Sequence, residues 1–193
     1  IFKVLALACS MLFIFSCSSD SDTFGVSNVT NFPLLTLNGD ETVFVQQGAS
    51  YTDPGVIATE NNATIPYITK YSGDYRGAST LDLSKPDRYI ATYTATNSDG
   101  FNANALRSIY VYKTGNFTSS IEGLYKSTVV RNNAASAQYT DMKYVIVWKN
   151  TNGTYEVSDA IGGYYEYGRS YGVGYASRGL TFNYTSGTSA TVA

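Results

Sequence analysis

The stretch Tyr89-Ile90-Ala91-Thr92-Tyr93-Thr94-Ala95, closed by Asn97-Ser98-Asp99-Gly100, alternates large and small residues with a period of two. A pleated strand is what turns successive side chains to opposite faces, so this stretch reads as a strand followed by a turn. The pattern recurs on both sides of it. Leu35 and Leu37 alternate ahead of Asn38-Gly39-Asp40, Val43 and Val45 follow, and Gln46-Gln47-Gly48 breaks the run, which predicts a hairpin. A further turn falls between Tyr51 and Pro54-Gly55, a strand at Val56 to Thr59, and a last strand from about Ala105 to Tyr112. Short strands at this spacing predict a β-sandwich over residues 32–113.

Thr114-Gly115-Asn116 marks a boundary, after which Ile121-Glu122-Gly123-Leu124-Tyr125 begins a second apolar pattern and Asn132 to Ser136 reads as a loop. In Tyr144-Val145-Ile146-Val147-Trp148 both alternating sets are apolar, so the strand is expected to be covered on both faces, with Trp148 in the core. Asn152-Gly153 is a turn signal, with Tyr155 and Val157 on the returning strand. With 18 tyrosines, 17 glycines and only 4 prolines, the composition favours strands and turns over helices. The fold class expected is therefore all-β, a sandwich followed by a second small antiparallel β-sandwich or barrel-like domain over residues 114–193. The chain stops at Thr191-Val192-Ala193 in what reads as a strand without a closing turn, so the second domain is expected to be truncated.

Ahead of both domains, the apolar run from Val4 to Phe15 follows Lys3 and is too short for a spanning helix of roughly 20 residues. It ends at Ser16-Cys17-Ser18-Ser19-Asp20, which reads as a lipoprotein processing site: residues 1–16 are a signal peptide and Cys17 is the acylated residue. Cleavage at the other cysteine, Cys9, would leave too short an apolar region. Once Cys9 is removed, Cys17 has no partner for an intramolecular disulfide, and acylation accounts for its presence. The chain opens at Ile1, so the start of the charged region is expected to be absent. Residues 17–31 are acidic, serine-rich and without apolar periodicity, as befits a tether.

Charge and composition exclude several functions. The chain carries 13 basic and 15 acidic residues, and a nucleic-acid partner is not expected. It has no histidine, which removes Ser-His-Asp and Cys-His nucleophiles, an imidazole base and histidine-bound zinc. What survives is a carboxylate pair of the glycosidase type, for which Asp159 and Glu166 are the most suggestive residues, or a carboxylate-rich calcium site.

The segment Gly162-Gly163-Tyr164-Tyr165-Glu166-Tyr167-Gly168-Arg169-Ser170-Tyr171-Gly172-Val173-Gly174-Tyr175 is the most unusual in the chain. Glycines permit sharp bends while tyrosines offer flat faces with polar tips. Together they suggest a platform for polysaccharide or oligosaccharide, with Tyr164, Tyr165 and Tyr171 stacking on sugar rings and Arg169, Glu166 or Asp159 bonding hydroxyls. The competing reading packs these tyrosines into a twisted barrel corner. In an extended segment, Tyr165 and Tyr167 would face away from Tyr164. Exposed tyrosines would favour the platform, buried ones the corner.

Gly48, Tyr51, Asp53-Pro54-Gly55, Ala58, Lys85-Pro86, Tyr89, Tyr93-Thr94-Ala95-Thr96 and Gly100 resemble a bacterial Ig-like domain of surface proteins that also occurs in a pesticidal crystal protein. Tyr89 then takes the place of a tyrosine corner, its hydroxyl bonded to upstream backbone. Relatives often carry an acidic run where this chain has Glu60-Asn61-Asn62-Ala63, so no metal is expected there, and no cofactor is expected elsewhere. Gly162-Gly163-Tyr164-Tyr165, Gly168-Arg169, Tyr171-Gly172 and Tyr175-Ala176 resemble a C-terminal domain of unknown function that follows this Ig-like domain in Bacteroidetes lipoproteins. The acids after Cys17 likewise resemble the surface-export signal of such lipoproteins. The resemblance implies a non-catalytic surface lipoprotein of the outer membrane, bound through its lipid. Its implied role is to bind glycan or to accompany outer-membrane transporter proteins in glycan uptake. The alternative is a structural or adhesive lipoprotein with a protein partner.

Overall fold

The alternation that marks the middle of the first domain is realised in its longest antiparallel pair. A computed structural model describes residues 29–187 and 189–193. The expected signal peptide, Cys17 and the tether as far as Asn28 lie outside the described residues.

Among the described residues the first seven strands are β1 (Leu34–Leu37), β2 (Thr42–Gln46), β3 (Val56–Glu60), β4 (Ala63–Thr64), β5 (Tyr67–Gly73), β6 (Asp87–Thr96) and β7 (Asn102–Tyr112). They form two sheets, one of order β1-β3-β4 and one of order β2-β7-β6-β5. Along β6 every second residue from Asp87 to Ala95 is buried, and Tyr89, Ala91 and Tyr93 meet Val45, Val56, Ile109 and Val111 in the core between the sheets. The Asn97–Gly100 turn joins β6 to β7 in antiparallel register, Tyr93 opposite Ala105.

The hairpin expected around Asn38-Gly39-Asp40 does not form. β1 pairs antiparallel with β3, whereas β2 pairs in parallel with β7, so the chain crosses there from one sheet to the other. Alternation puts Leu35, Leu37, Val43 and Val45 on the core side in either arrangement, and a sandwich needs that inward row on both sheets. The crossing is tied down from the opposite sheet: the Arg107 side chain donates to the carbonyls of Asp40 (2.9 Å) and Asn38 (2.5 Å). Nothing in the local pattern of residues 34–46 carries that information.

Tyr89 takes the corner position expected of it. Its ring is buried and its hydroxyl donates to the carbonyl of Asp82 at 2.9 Å and lies 3.2 Å from that of Lys85, pinning the loop before β6. Glu60, in the loop considered for a metal, accepts from the Ser98 backbone N–H and hydroxyl, joining two loops at that end of the sandwich.

The second domain is a single five-stranded antiparallel sheet of order β12-β11-β10-β9-β8. It comprises β8 (Gly123–Ser127), β9 (Met142–Lys149), β10 (Tyr155–Val157), β11 (Thr181–Ser186) and β12 (Ser189–Val192). The Asn152-Gly153 turn joins β9 to β10 as expected. Val145, Ile146 and Trp148 are all buried, so β9 is covered on both faces. Part of that cover comes from the first domain. Ile146 and Trp148 cluster with Tyr75 and Tyr110, and Tyr144 packs edge-on against both Phe44 (5.3 Å) and Tyr110 (5.2 Å). Near the end of β7 strict alternation therefore gives way to a fully buried run, Ile109-Tyr110-Val111, because the outer face of the sheet is no longer wet. Residues 32–193 make one compact unit.

Candidate functional site

The Tyr- and Gly-rich segment is not extended. Tyr164–Gly168 forms a π-helical turn and Val173–Tyr175 a short 3₁₀ turn. The helical turn is closed by Gly168 N–H to Gly163 O (3.0 Å) and Arg169 N–H to Tyr164 O (2.9 Å). Gly163 starts it with φ +78°, and a Cβ there would stand 2.5 Å from the Tyr167 ring. At the far end Gly168 lies against Tyr139 and Met142 so closely that a Cβ would meet the Tyr139 ring at 2.6 Å. A helical turn rotates far less than 180° per residue, so neighbours share a face in pairs. Tyr164 and Tyr165 point outward together, while Glu166 and Tyr167 point inward. The expectation that Tyr165 joins Tyr167 opposite Tyr164 is thereby corrected.

The inward pair locks the two domains together. Glu166 is 3% exposed. Its Oε1 accepts from the Tyr75 hydroxyl at 2.9 Å and pairs with Arg88 Nη2 at 2.9 Å. Tyr167 OH lies 2.7 Å from Tyr75 OH, accepts from Arg88 Nη1 at 3.0 Å and donates to the Tyr144 carbonyl at 3.1 Å. Arg88 also pairs with Asp74. Burial pushes the Glu166 carboxyl above the usual range, and the nearby Asp159 adds to that, although Arg88, Tyr75 and Tyr167 pull the other way. Glu166 is thus removed from the set of residues able to meet a ligand: a saccharide hydroxyl has no route to it, and Oε1 is occupied. Asp159, 2% exposed, is equally enclosed, and its Oδ1 accepts from the Ile161 N–H to shape the turn before Gly162. The carboxylate pair considered for glycoside hydrolysis is shut away from any substrate.

The outward side carries a continuous aromatic strip. Tyr164 and Tyr165 meet edge to face at 4.9 Å, Tyr165 and Tyr171 lie 6.2 Å apart with ring planes only 10° from parallel, and Tyr171 contacts Tyr175 at 5.1 Å. Tyr165, Tyr171 and Tyr175 are 43%, 49% and 60% exposed. Tyr164 is half-buried because Tyr139 packs against it at 4.7 Å. Beside the strip opens a cleft of about 650 Å³, with Val129, Val130 and Ile161 as its apolar wall and Arg131, Tyr164, Tyr165 and Arg169 as its polar one.

Of the sequence-predicted residues, the structure brings Tyr164, Tyr165, Tyr171 and Arg169 together on one surface and withdraws Glu166 to the interior. Sequence reasoning missed Tyr175 as a strip residue, Arg131 and the valine wall. The signal available for Tyr175 was the same aromatic spacing that singled out Tyr171, whereas Arg131 comes from a loop whose approach depends on the tertiary fold.

Residues 35–111 match the family described as bacterial surface protein, Ig-like domain, and residues 114–193 match a family of C-terminal domains. No curated protein matches the chain. Among solved structures, the lipoprotein BT2262 from Bacteroides thetaiotaomicron is similar in fold. It is 22% identical, with a TM-score of 0.56 over 84% of this chain and 78% of that one.

Proposed function

Because the chain joins the Ig-like domain of bacterial surface proteins to a second, C-terminal β domain, we propose that it is a lipid-anchored, non-catalytic protein of the outer-membrane surface that captures saccharide. The observation that carries this reading is the exposed strip Tyr165-Tyr171-Tyr175 beside the cleft. Tyrosine faces are apolar enough to cover the C–H faces of pyranose rings, and their hydroxyls stay in reach of sugar hydroxyls. A lone exposed aromatic needs no explanation, but a row of contacting ones is costly to leave wet and marks a contact surface. The Ig-like sandwich holds this surface away from the bilayer, and the Arg88–Glu166–Tyr75–Tyr167 network keeps the strip in a fixed pose relative to it. In this role the protein would hand saccharide to outer-membrane transporter proteins.

The test is a glycan array followed by titration. Tyr165→Ala and Tyr171→Ala should each weaken retention several-fold while leaving the unfolding free energy within about 0.5 kcal/mol of wild type, as exposed substitutions do. Tyr167→Ala, in the domain lock, should cost about 3–5 kcal/mol of stability instead. An array with no saccharide retained would overturn the reading and favour a structural or adhesive role towards a protein partner.

A further inference from the structure

Two arginines enter the cleft from separate parts of the chain. Arg169 follows the helical turn, its guanidinium 5.6 Å from the centre of the Tyr171 ring and its Nη2 donating to the Tyr171 hydroxyl at 3.2 Å. Arg131 projects from a tight loop whose Asn132 and Asn133 adopt left-handed backbone (φ 52° and 57°), and its Nη1 donates to Tyr164 OH at 3.1 Å.

Their bonding contrasts with that of the interior arginines. Arg88 and Arg107 are each held by carboxylates, but among the described residues neither Arg131 nor Arg169 makes an ion pair. A guanidinium has five N–H donors, and a neutral phenol satisfies only one of them and none of the charge. Tyr139, which packs on Tyr164, registers the local field. Its hydroxyl is drawn below the ordinary phenol value by hydrogen bonding with Arg169, then with Tyr164, and by the charges of Arg169 and Arg131. A chain of net charge −2 thus keeps two unneutralised cations in the cleft that adjoins its aromatic strip. For a neutral saccharide those charges would add little, whereas for an anionic group the planar fork supplies paired donors at matching geometry.

Resting on the reading of the strip as a saccharide platform, we infer that the saccharide is acidic, its carboxylate or sulfate ester seated on Arg131 and Arg169 while adjoining rings lie on Tyr165 and Tyr171. Val129, half-buried in the apolar wall of the cleft, strengthens that contact by lowering local solvent exposure on its side.

The experiment uses the full chain and paired probes that differ only in charge: oligogalacturonate against its methyl ester, and a sulfated galactan oligosaccharide against its desulfated form, within an array that also holds neutral glycans. The charged member of at least one pair should bind, its uncharged partner at least tenfold more weakly, and its affinity should fall as salt rises from 50 to 300 mM, roughly as expected of a contact carried by two charges. The pair that discriminates identifies carboxylate or sulfate as the anion. Arg131→Gln and Arg169→Gln should each reduce that binding about tenfold or more without moving the urea midpoint followed by the fluorescence of Trp148. Equal binding of charged and uncharged members, or retention of neutral glycans alone with loss on Tyr165→Ala, would overturn the acidic-ligand inference and leave the platform standing. Retention of no saccharide would overturn both.

Discussion

Replacing Asp53 by asparagine should strip the paired carboxylate from a fully buried arginine, and the cost follows from the contacts. Arg107 is 0% exposed. Its Nη1 pairs with Asp53, and its remaining bonds run to the Tyr93 hydroxyl (2.7 Å) and to the carbonyls of Asn38, Asp40 and Gly55, all of them neutral. Asp53 is in turn held by Tyr93 (2.6 and 2.7 Å), Tyr71 (2.9 Å) and the Gly55 N–H (2.9 Å). Removing one partner of a buried pair costs about 3–5 kcal/mol because the other charge is left uncompensated. The Asp53 side chain retains 12% exposure, so the lower end of that range, about 3 kcal/mol, applies. With a urea m-value of about 2 kcal/mol per molar, the midpoint falls by about 1.5 M. The assay is urea unfolding of the whole chain at pH 7, followed in parallel by far-UV circular dichroism and Trp148 fluorescence. The double variant Asp53→Asn/Arg107→Met leaves no orphaned charge and should cost no more than Asp53→Asn alone, a coupling of about 1 kcal/mol or more. The pH dependence has a definite sign. Burial works to raise the Asp53 carboxyl, but the hydrogen bonds from Tyr93, Gly55 and Tyr71 and the charge of Arg107 outweigh it, so its folded value lies below the ordinary 3.8. A depressed carboxylate stabilises above its unfolded value and loses that contribution as pH falls through the folded one. The gap between wild type and Asp53→Asn should therefore shrink below about pH 3.8. Strictly additive single-variant losses, or a cost for Asp53→Asn within about 0.5 kcal/mol of zero, would refute the account of Arg107 as a charge held in the core by Asp53.

Tyr89→Phe keeps the ring and removes the hydroxyl bonded to the Asp82 and Lys85 carbonyls, so it should cost about 0.5–1.5 kcal/mol by urea unfolding, and an unchanged midpoint would remove the corner from the stability of the sandwich. Glu166 has a folded value raised above 4.5, chiefly by burial, and a raised acid binds its proton more tightly when folded, so the stability it confers should decline as pH rises from 4.5 through that folded value. Glu166→Gln has no proton to lose there, and the difference in unfolding free energy between the two proteins should change across that window; a constant difference would contradict a Glu166 carboxyl raised by burial. Cys17→Ala should abolish incorporation of a labelled fatty acid and release the protein from membranes, and label retained in the variant would sink the anchor.

How much of this was legible in the sequence differs by element. β6 was, because one wet face and one dry face write a period of two directly into Tyr89 to Ala95. So was β9, because cover on both faces leaves an unbroken apolar run. β5 was not: most of Tyr67 to Gly73 is exposed, and a strand with little buried side chain writes no pattern. The hairpin expected at Asn38-Gly39-Asp40 shows a different limit. Alternation states which side chains face the core but not which sheet edge the backbone joins, and that choice was made by the free edge of β7 and by Arg107 reaching the carbonyls of the crossing.

The same division runs through the candidate site. Sequence alone determined that tyrosine and glycine are concentrated between Gly162 and Tyr175, that no histidine chemistry is available, and that Tyr164, Tyr165, Tyr171 and Arg169 belong to one short segment. Tertiary structure decided which of them face water. Gly163 in left-handed backbone and Gly168 pressed on Tyr139 coil the segment into a helical turn, and a turn sorts neighbours into inward and outward pairs where a strand would have alternated them. Glu166 and Tyr167 went inward because Arg88 and Tyr75 of the other domain offered a charge and a hydroxyl that a buried carboxylate requires, and Tyr165 and Tyr171 remained outside because no described element covers them. Tyr75 stands 91 positions from Glu166 in the chain, and local pattern reports only which side chains avoid water, never which distant group will satisfy the ones that do not.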